Sequence, residues 1–221
     1  MQEEVDAYDG GIVYVDTEIA NIFSKLKRRG LDKNTLVIIT ADHGESFGDH
    51  GLWKHRNALY RELIRVPLVV RWPGKVPAGL HVATPVSTAS LPATLLEAVV
   101  SGDTGFRAVD MPPRFSEPSL SALWTKPEDH ADWPLPLSEL TQDPYLPAHY
   151  PAHYGGLECI TGPQWHLIHN EKQPPEFYRW TSDPHELKNE AGEPGAQEAF
   201  SRLESVLQGR LSRLIQTEVA K

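Results

Sequence analysis

The sequence has little cysteine, a deficit of positive charge and no long apolar run. Cys159 is the one cysteine, which excludes a disulfide framework and a metal site built from several cysteines. Lys and Arg together number 21 against 30 Asp and Glu, a formal net charge of −9, whereas nucleic-acid binders cluster basic residues. No apolar stretch approaches the ~18–20 residues that cross a bilayer. The start, Met1-Gln2-Glu3-Glu4, is acidic where a signal peptide has basic residues, so it does not resemble one. We therefore expect no nucleic-acid partner and no membrane segment, and the compartment stays unknown.

The first hundred residues predict helices alternating with strands. An amphipathic helix is predicted over 9–29 because its apolar residues recur every three or four positions. The runs 35–40 and 67–72 are continuous and rich in Val and Ile, which is typical of strands buried on both faces of a parallel sheet. A short helix over 91–100 follows, with Ser90 as its N-cap. Because such a sheet normally needs more than two strands, this region indicates part of a larger α/β domain.

The second half of the chain predicts a different architecture. Prolines recur between 102 and 151 and forbid long regular elements there. Beyond them, closely spaced strand-like runs indicate antiparallel neighbours, and a striped segment predicts a final helix. The predicted strands cover 135–140, 157–161, 165–169 and 176–180, and the predicted helix covers 196–217. We therefore divide the chain into residues 1–115, part of an α/β core, and residues 116–221, a proline-rich connection with a small antiparallel sheet and a helix.

The segment 40–51 contains the candidate metal-binding residues. It follows a predicted strand, where open α/β sheets bind ligands. Asp42 and His43 are adjacent, and Gly44 allows the backbone to aim both side chains at one point. A carboxylate and an imidazole together suit a divalent cation. Taken alone, the tripeptide favours an ordinary turn with a capped carboxylate over a metal site.

The longer pattern resembles the sulfatase family of the alkaline-phosphatase-like superfamily. The resemblance runs from the helix at 8–16 through the segment 40–51 and the residues 59–74. Near the end, the stretch 177–189, which contains Asp183-Pro184-His185-Glu186, resembles the C-terminal subdomain signature of that family. The fold that this implies is a partial alkaline-phosphatase-type α/β sandwich with a small antiparallel α+β subdomain.

The resemblance also implies roles for particular residues. Asp42 and His43 would be ligands of a divalent metal, usually calcium, and His55, or else Lys54, would contact the sulfate. His50 is expected to orient the loop. Cys159 is expected to be a small buried hydrophobe, and Glu186 is interpreted as structural. His149 and His153 have the spacing of a metal pair on a helix, but the neighbouring prolines argue against a helix that carries both.

The expected function is metal-dependent hydrolysis of a sulfate ester, on a small-molecule or carbohydrate substrate. The family nucleophile, a modified Cys or Ser in a C/S-x-P-x-R setting, has no match here, since neither Cys159 nor Ser116 fits. We therefore expect these 221 residues alone to be inactive, with the N-terminal half of the fold as a partner. The alternatives are a phosphomonoesterase, phosphodiesterase or phosphoryl transferase of the same superfamily, and a non-catalytic remnant.

Overall fold

The structure is a computed structural model that describes residues 2–101, 115, 117–125, 130 and 132–219, with backbone only at 101 and 213–219. Parts of the proline-rich connection, including Pro112, Pro113 and Pro127, lie outside the described residues, as does Ser116. The helices are α1 (Gln2–Arg28), α2 (Arg61–Ile64), α3 (Leu91–Ser101), α4 (Ser121–Thr125), α5 (Pro151–Tyr154) and α6 (Gln197–Val219). The strands are β1 (Val37–Thr40), β2 (Ser46–Phe47), β3 (Trp53–Lys54), β4 (Leu68–Arg71), β5 (Leu137–Leu140), β6 (Leu157–Thr161), β7 (His166–Asn170) and β8 (Gln173–Tyr178).

Helix α1 begins earlier than its apolar stripe predicts. Glu3 and Glu4 lie in its first turn, where negative charge favours the helix dipole, so the polar residues before the stripe are helical too. Its end agrees with the prediction, because Gly30 adopts a φ of 67°, the left-handed conformation that commonly terminates a helix. None of the residues of α1 is buried.

The prediction that β1 and β4 belong to a parallel arrangement is wrong for this pair. The two strands pair antiparallel, with Val37 opposite Arg71 and Thr40 opposite Leu68. Neither strand contains a buried residue. The chain between them folds into a two-stranded hairpin and the single turn of α2, and it returns without a long crossover helix, which a parallel pair requires.

The start of α3 also differs from the prediction in its cap. A 3₁₀ turn, Thr88–Ser90, precedes the helix, and the hydroxyl of Ser87 accepts a hydrogen bond from the Ala89 N–H at 3.1 Å. Ser90 is therefore not the capping residue, and its carbonyl instead accepts from the Thr94 hydroxyl at 2.7 Å. The extra turn moves the capping hydroxyl three residues upstream.

The second half forms an antiparallel sheet with the order β5-β6-β7-β8, and this confirms the predicted antiparallel neighbours. The last strand starts earlier than predicted and contains Pro174 and Pro175. It can do so because β8 is an edge strand, where a missing N–H donor is tolerated.

Each face of this small sheet packs against a different part of the chain. Successive strand residues point to opposite faces, and α6 covers the face that carries Ile160, Leu167 and Phe177. The opposite face carries Leu157, Cys159 and Ile168, which pack against buried residues of segment 52–63. Since segment 52–63 leads from β3 into α2, the small sheet supports the loops that hold the candidate site.

No described helix has both the length and the apolar character needed to span a membrane. The predicted division at residue 115 falls beside residues that are not described, and it stays a prediction.

Candidate active site

The turn after β1 brings the Asp42 carboxylate and the His43 imidazole to the same side. Asp42 Oδ1 accepts a hydrogen bond from the His43 backbone N–H at 3.0 Å. His43 Nδ1 donates to the Gly44 carbonyl at 2.7 Å, which leaves Nε2 with its lone pair. That Nε2 lies 3.7 Å from Asp42 Oδ2, and the two side chains are 43% and 89% exposed. The pair therefore presents two free electron-pair donors to the surroundings.

Gly44 anchors this turn to α2. Its N–H donates to the Leu63 carbonyl at 2.7 Å. A Cβ at position 44 would overlap the carbonyl oxygen of Glu62, so any side chain there would push the turn away from α2. Glycine is required at this position by the close approach of two backbones.

A strained hairpin places the His55 side chain next to Asp42 and His43. Strands β2 and β3 pair Ser46 with Lys54, and Lys54 and Arg56, on either side of His55, have φ values of 67° and 66°. Such left-handed conformations cost about 1–3 kcal/mol in non-glycine residues and often occur at functional sites. They turn the chain so that the His55 ring stacks on His43, with ring centroids 4.1 Å apart.

Lys54, the second candidate for the sulfate contact, differs from His55 in its surroundings. Lys54 is exposed, and it is not among the residues that line the cavity described below, whereas His55 is. His55 is further fixed by Glu45, whose carboxylate Oε2 lies 3.1 Å from His55 Nδ1. The structure thus brings Asp42, His43 and His55 together, and of the two candidates for the sulfate contact His55 is the one that lines the cavity.

A cavity of about 690 Å³ opens beside the three residues. It runs from Asp42 and His55 past Arg61 to Glu139 of β5 and to Trp180. The Arg61 guanidinium lies 4.4 Å above the centre of the Trp180 ring, a cation–π arrangement. The sequence does not indicate Arg61, Glu139 and Trp180 as site residues, because they meet only through long-range packing.

The electrostatics of the turn favour an ionised carboxylate. Hydrogen bonds from the Asp42 and His43 backbone N–H groups lower the pKa of Asp42, and the nearby His43 and His55 side chains act in the same direction. Asp42 therefore stays negative near neutral pH. An exposed carboxylate oxygen and an imidazole nitrogen fit two ligand positions of one divalent cation.

Two ligands are only part of a coordination sphere. Calcium takes about 6–8 oxygen ligands, and the described residues contain no group of three or more His, Cys, Asp or Glu that could hold a metal. Asp42 and His43 are therefore suitable types of ligand for a divalent metal. The described residues supply too few ligands to complete its coordination sphere.

The remaining predicted histidines have separate partners. His50 stacks on Tyr60 with ring centroids 3.7 Å apart, which attaches the hairpin to the core. His153, in α5, donates from Nδ1 to the Leu146 carbonyl at 2.7 Å. His149 precedes α5 and packs on Tyr150. The expectation that no helix carries both His149 and His153 is thus confirmed.

Comparison with known proteins assigns this fold. An ulvan-active sulfatase of Formosa agariphila is 24% identical over 96% of this chain and 40% of its own length. A protein solved in complex with its substrate D-glucosamine-2-N,6-O-disulfate superposes with a TM-score of 0.74 and 23% identity, over 90% of this chain and 38% of that one. A phosphonate monoester hydrolase of Agrobacterium radiobacter superposes with a TM-score of 0.73 and 24% identity, over 91% and 40%.

A multifunctional protein of the alkaline phosphatase superfamily from Trinickia caryophylli is 30% identical over 85% of this chain and 36% of its own length, so this chain is similar to members of that superfamily. The family model described as "Sulfatase" matches residues 1–101 of this chain. The chain corresponds to a C-terminal portion of the sulfatase fold and spans about 40% of the length of the Formosa relative. The predicted family and fold class are confirmed.

Proposed function

We propose that the protein serves the metal-dependent hydrolysis of a sulfate ester, and that this chain forms the Asp42–His43–His55 side of the site. The observation that carries the proposal is the stacking of His55 on His43, with centroids 4.1 Å apart, beside the cavity. It supports a site in which a metal-binding pair and a substrate-binding side chain act on one sulfate group.

Each residue has a role that follows from its contacts. The Asp42 carboxylate and His43 Nε2 would hold a divalent cation, calcium by family resemblance. When bound, that cation would polarise a sulfate oxygen. His55 directs Nδ1 to Glu45, so its Nε2 is left to face the substrate. Because Nδ1 already donates to a carboxylate, Nε2 carries an N–H only in the imidazolium form, and that N–H would stabilise negative charge on the sulfate or the leaving oxygen. Lys54 is the second candidate for that contact.

The nucleophile is proposed to come from the rest of the sulfatase fold. Cys159 is followed by Ile160, Thr161 and Gly162, which do not match the family setting, and its side chain is fully buried. We therefore expect no turnover of an aryl sulfate by these 221 residues alone, even with calcium. Turnover that is lost in Asp42→Ala would contradict this expectation.

The substrate is proposed to be a carbohydrate sulfate ester. The neighbour that binds D-glucosamine-2-N,6-O-disulfate and the ulvan-active relative support this class. The cavity supports it as well, since its volume of about 690 Å³ and its Arg61 and Trp180 lining suit a polar ring that carries negative charge.

Paramagnetic broadening by Mn²⁺ tests the metal site, because it detects weak binding at individual residues. We expect the NMR signals of residues 42–44 to broaden first and calcium to reverse the effect. Asp42→Asn should abolish the broadening. Asp49→Asn, a change of another exposed carboxylate in the same loop, is the matched control and should leave it. Broadening centred elsewhere, or none at millimolar Mn²⁺, would contradict the metal site and favour a non-catalytic remnant.

A phosphonate or phosphate ester is the second candidate substrate class, and the similarity to the phosphonate monoester hydrolase supports it. Titrating the chain with phenyl sulfate and with phenylphosphonate, both with calcium present, separates the two. If the His55 signals shift with the sulfate at lower concentration, the sulfatase proposal is supported. The reverse order would favour the phosphonate alternative.

A further inference from the structure

A buried carboxylate outside the candidate site links two distant parts of the chain. Glu186 is 1% exposed, and its Oε1 accepts a hydrogen bond from His166 Nδ1 at 2.7 Å. Its Oε2 accepts from the backbone N–H of Arg61 at 2.9 Å. Glu186 itself adopts a left-handed φ of 53°. One carboxylate therefore joins strand β7 to Arg61, the first residue of α2, which lies 125 positions from Glu186 in the sequence.

The connection continues from α2 to the metal-binding pair. Arg61 begins α2, and the carbonyl of Leu63, two residues later, accepts the Gly44 N–H at 2.7 Å. The backbone of Gly44 lies directly against the Glu62 carbonyl. Since Gly44 follows His43 in the chain, the position of α2 sets where the Asp42–His43 turn lies.

The pair of Glu186 and His166 is suited to a fixed position. A buried carboxylate is costly unless it is paired and hydrogen-bonded, and both Glu186 oxygens have a donor. Burial would lower the pKa of His166, but the adjacent Cys159 side chain and the Glu186 carboxylate outweigh it and raise the pKa to about 10. The raised pKa favours the protonated ring as the partner of the Glu186 carboxylate.

We propose that Glu186 is a positioning residue for the Asp42–His43–Gly44 turn. It fixes the start of α2 from the small sheet, and α2 in turn holds Gly44. The proposal concerns the geometry of the turn. Only its metal readout rests on the proposed function.

The main test is amide hydrogen exchange at Gly44, compared between Glu186 variants and a matched control. Glu186→Ala removes both acceptors. Glu186→Gln keeps the shape but retains one acceptor for two donors, so it tests the proposal even if the alanine variant does not fold. The control is Glu158→Gln, because Glu158 lies on the same sheet and pairs with His169 at 3.0 Å without reaching α2.

We expect exchange at Gly44 to quicken by at least ~10-fold in Glu186→Ala, the effect of losing a charged hydrogen bond. We expect a smaller acceleration in Glu186→Gln and none in Glu158→Gln. A purely structural role would quicken exchange across β6 and β7 and change Gly44 only as much as global unfolding does. That pattern, or an unchanged Gly44 in Glu186→Gln, would overturn the proposal.

Broadening by Mn²⁺ gives a second readout. The Glu186 variants should need more Mn²⁺ than the unchanged protein to broaden the His43 signals. If the unchanged protein shows no broadening, the proposed metal site fails, while the exchange at Gly44 still decides the role of Glu186.

Discussion

Helix α1 exposes its apolar side chains, whereas the small sheet buries its own. Ile12 and Val13 of α1 are 54% and 67% exposed, and the helix has no buried residue. Ile160 and Phe177 of the small sheet are fully buried, because α6 covers their face and segment 52–63 covers the other. The described structure is therefore stabilised mainly by the packing of the small sheet against α6 and segment 52–63. The exposed stripe of α1 suits the proposal that further parts of the sulfatase fold pack on it.

Truncation of a core side chain should give the largest difference in the free energy of unfolding between the small sheet and α1. Phe177→Ala should lower the free energy of unfolding by about 3–5 kcal/mol, because the ring is fully buried against Trp165 and Phe200. Ile12→Ala should change it by less than about 0.5 kcal/mol, since exposed positions contribute little. Urea denaturation measures both. An equal loss in the two variants would show that α1 has a partner in solution, such as a second copy of the chain.

Glycine substitutions should change the free energy of unfolding in opposite directions in α1 and in the Asp42–His43–Gly44 turn, which the small sheet supports through segment 52–63. Gly44→Ala is expected to destabilise by about 1–3 kcal/mol, because the new methyl group overlaps the Glu62 carbonyl. Gly10→Ala, within α1 and with open space around it, should stabilise by about 0.5–1 kcal/mol through helix propensity. Thermal unfolding of the two variants measures the signs. A neutral Gly44→Ala would mean that the turn moves freely relative to α2.

Much of the architecture could be predicted from local pattern. The helical stripes, the short antiparallel strands and the chemistry-bearing turn each depend on neighbouring residues and their periods. The direction of β4 relative to β1 could not be predicted, because a continuous apolar run is the same in either direction. The capping hydroxyl of Ser87 was missed because the 3₁₀ turn lengthens the start of α3.

The residues of the candidate site could likewise be predicted from the sequence only in part. The motif predicts Asp42 and His43, and the structure places His55 against His43. The position of His55 depends on the left-handed conformations of Lys54 and Arg56, and neither Lys nor Arg signals such a conformation in a sequence. Glu186 was interpreted as structural, and its link to Arg61 spans 125 positions, so only the fold reveals it.

Stability should also depend on pH, and this dependence belongs to the small sheet alone. The pKa of His166 is raised to about 10 by Cys159 and Glu186 against the lowering effect of burial, so the folded state retains a proton that the unfolded chain releases near pH 6.5. The stabilisation is therefore complete below about pH 6.5 and is lost as the pH rises through about 10, with a slope of at most ~1.4 kcal/mol per pH unit. Urea denaturation at several pH values between 6 and 10 measures this slope. Glu186→Gln should flatten the slope and Glu158→Gln should retain it, because Glu158 pairs with the partly exposed His169 instead. The same slope in Glu186→Gln would assign the titration to another group and leave His166 neutral.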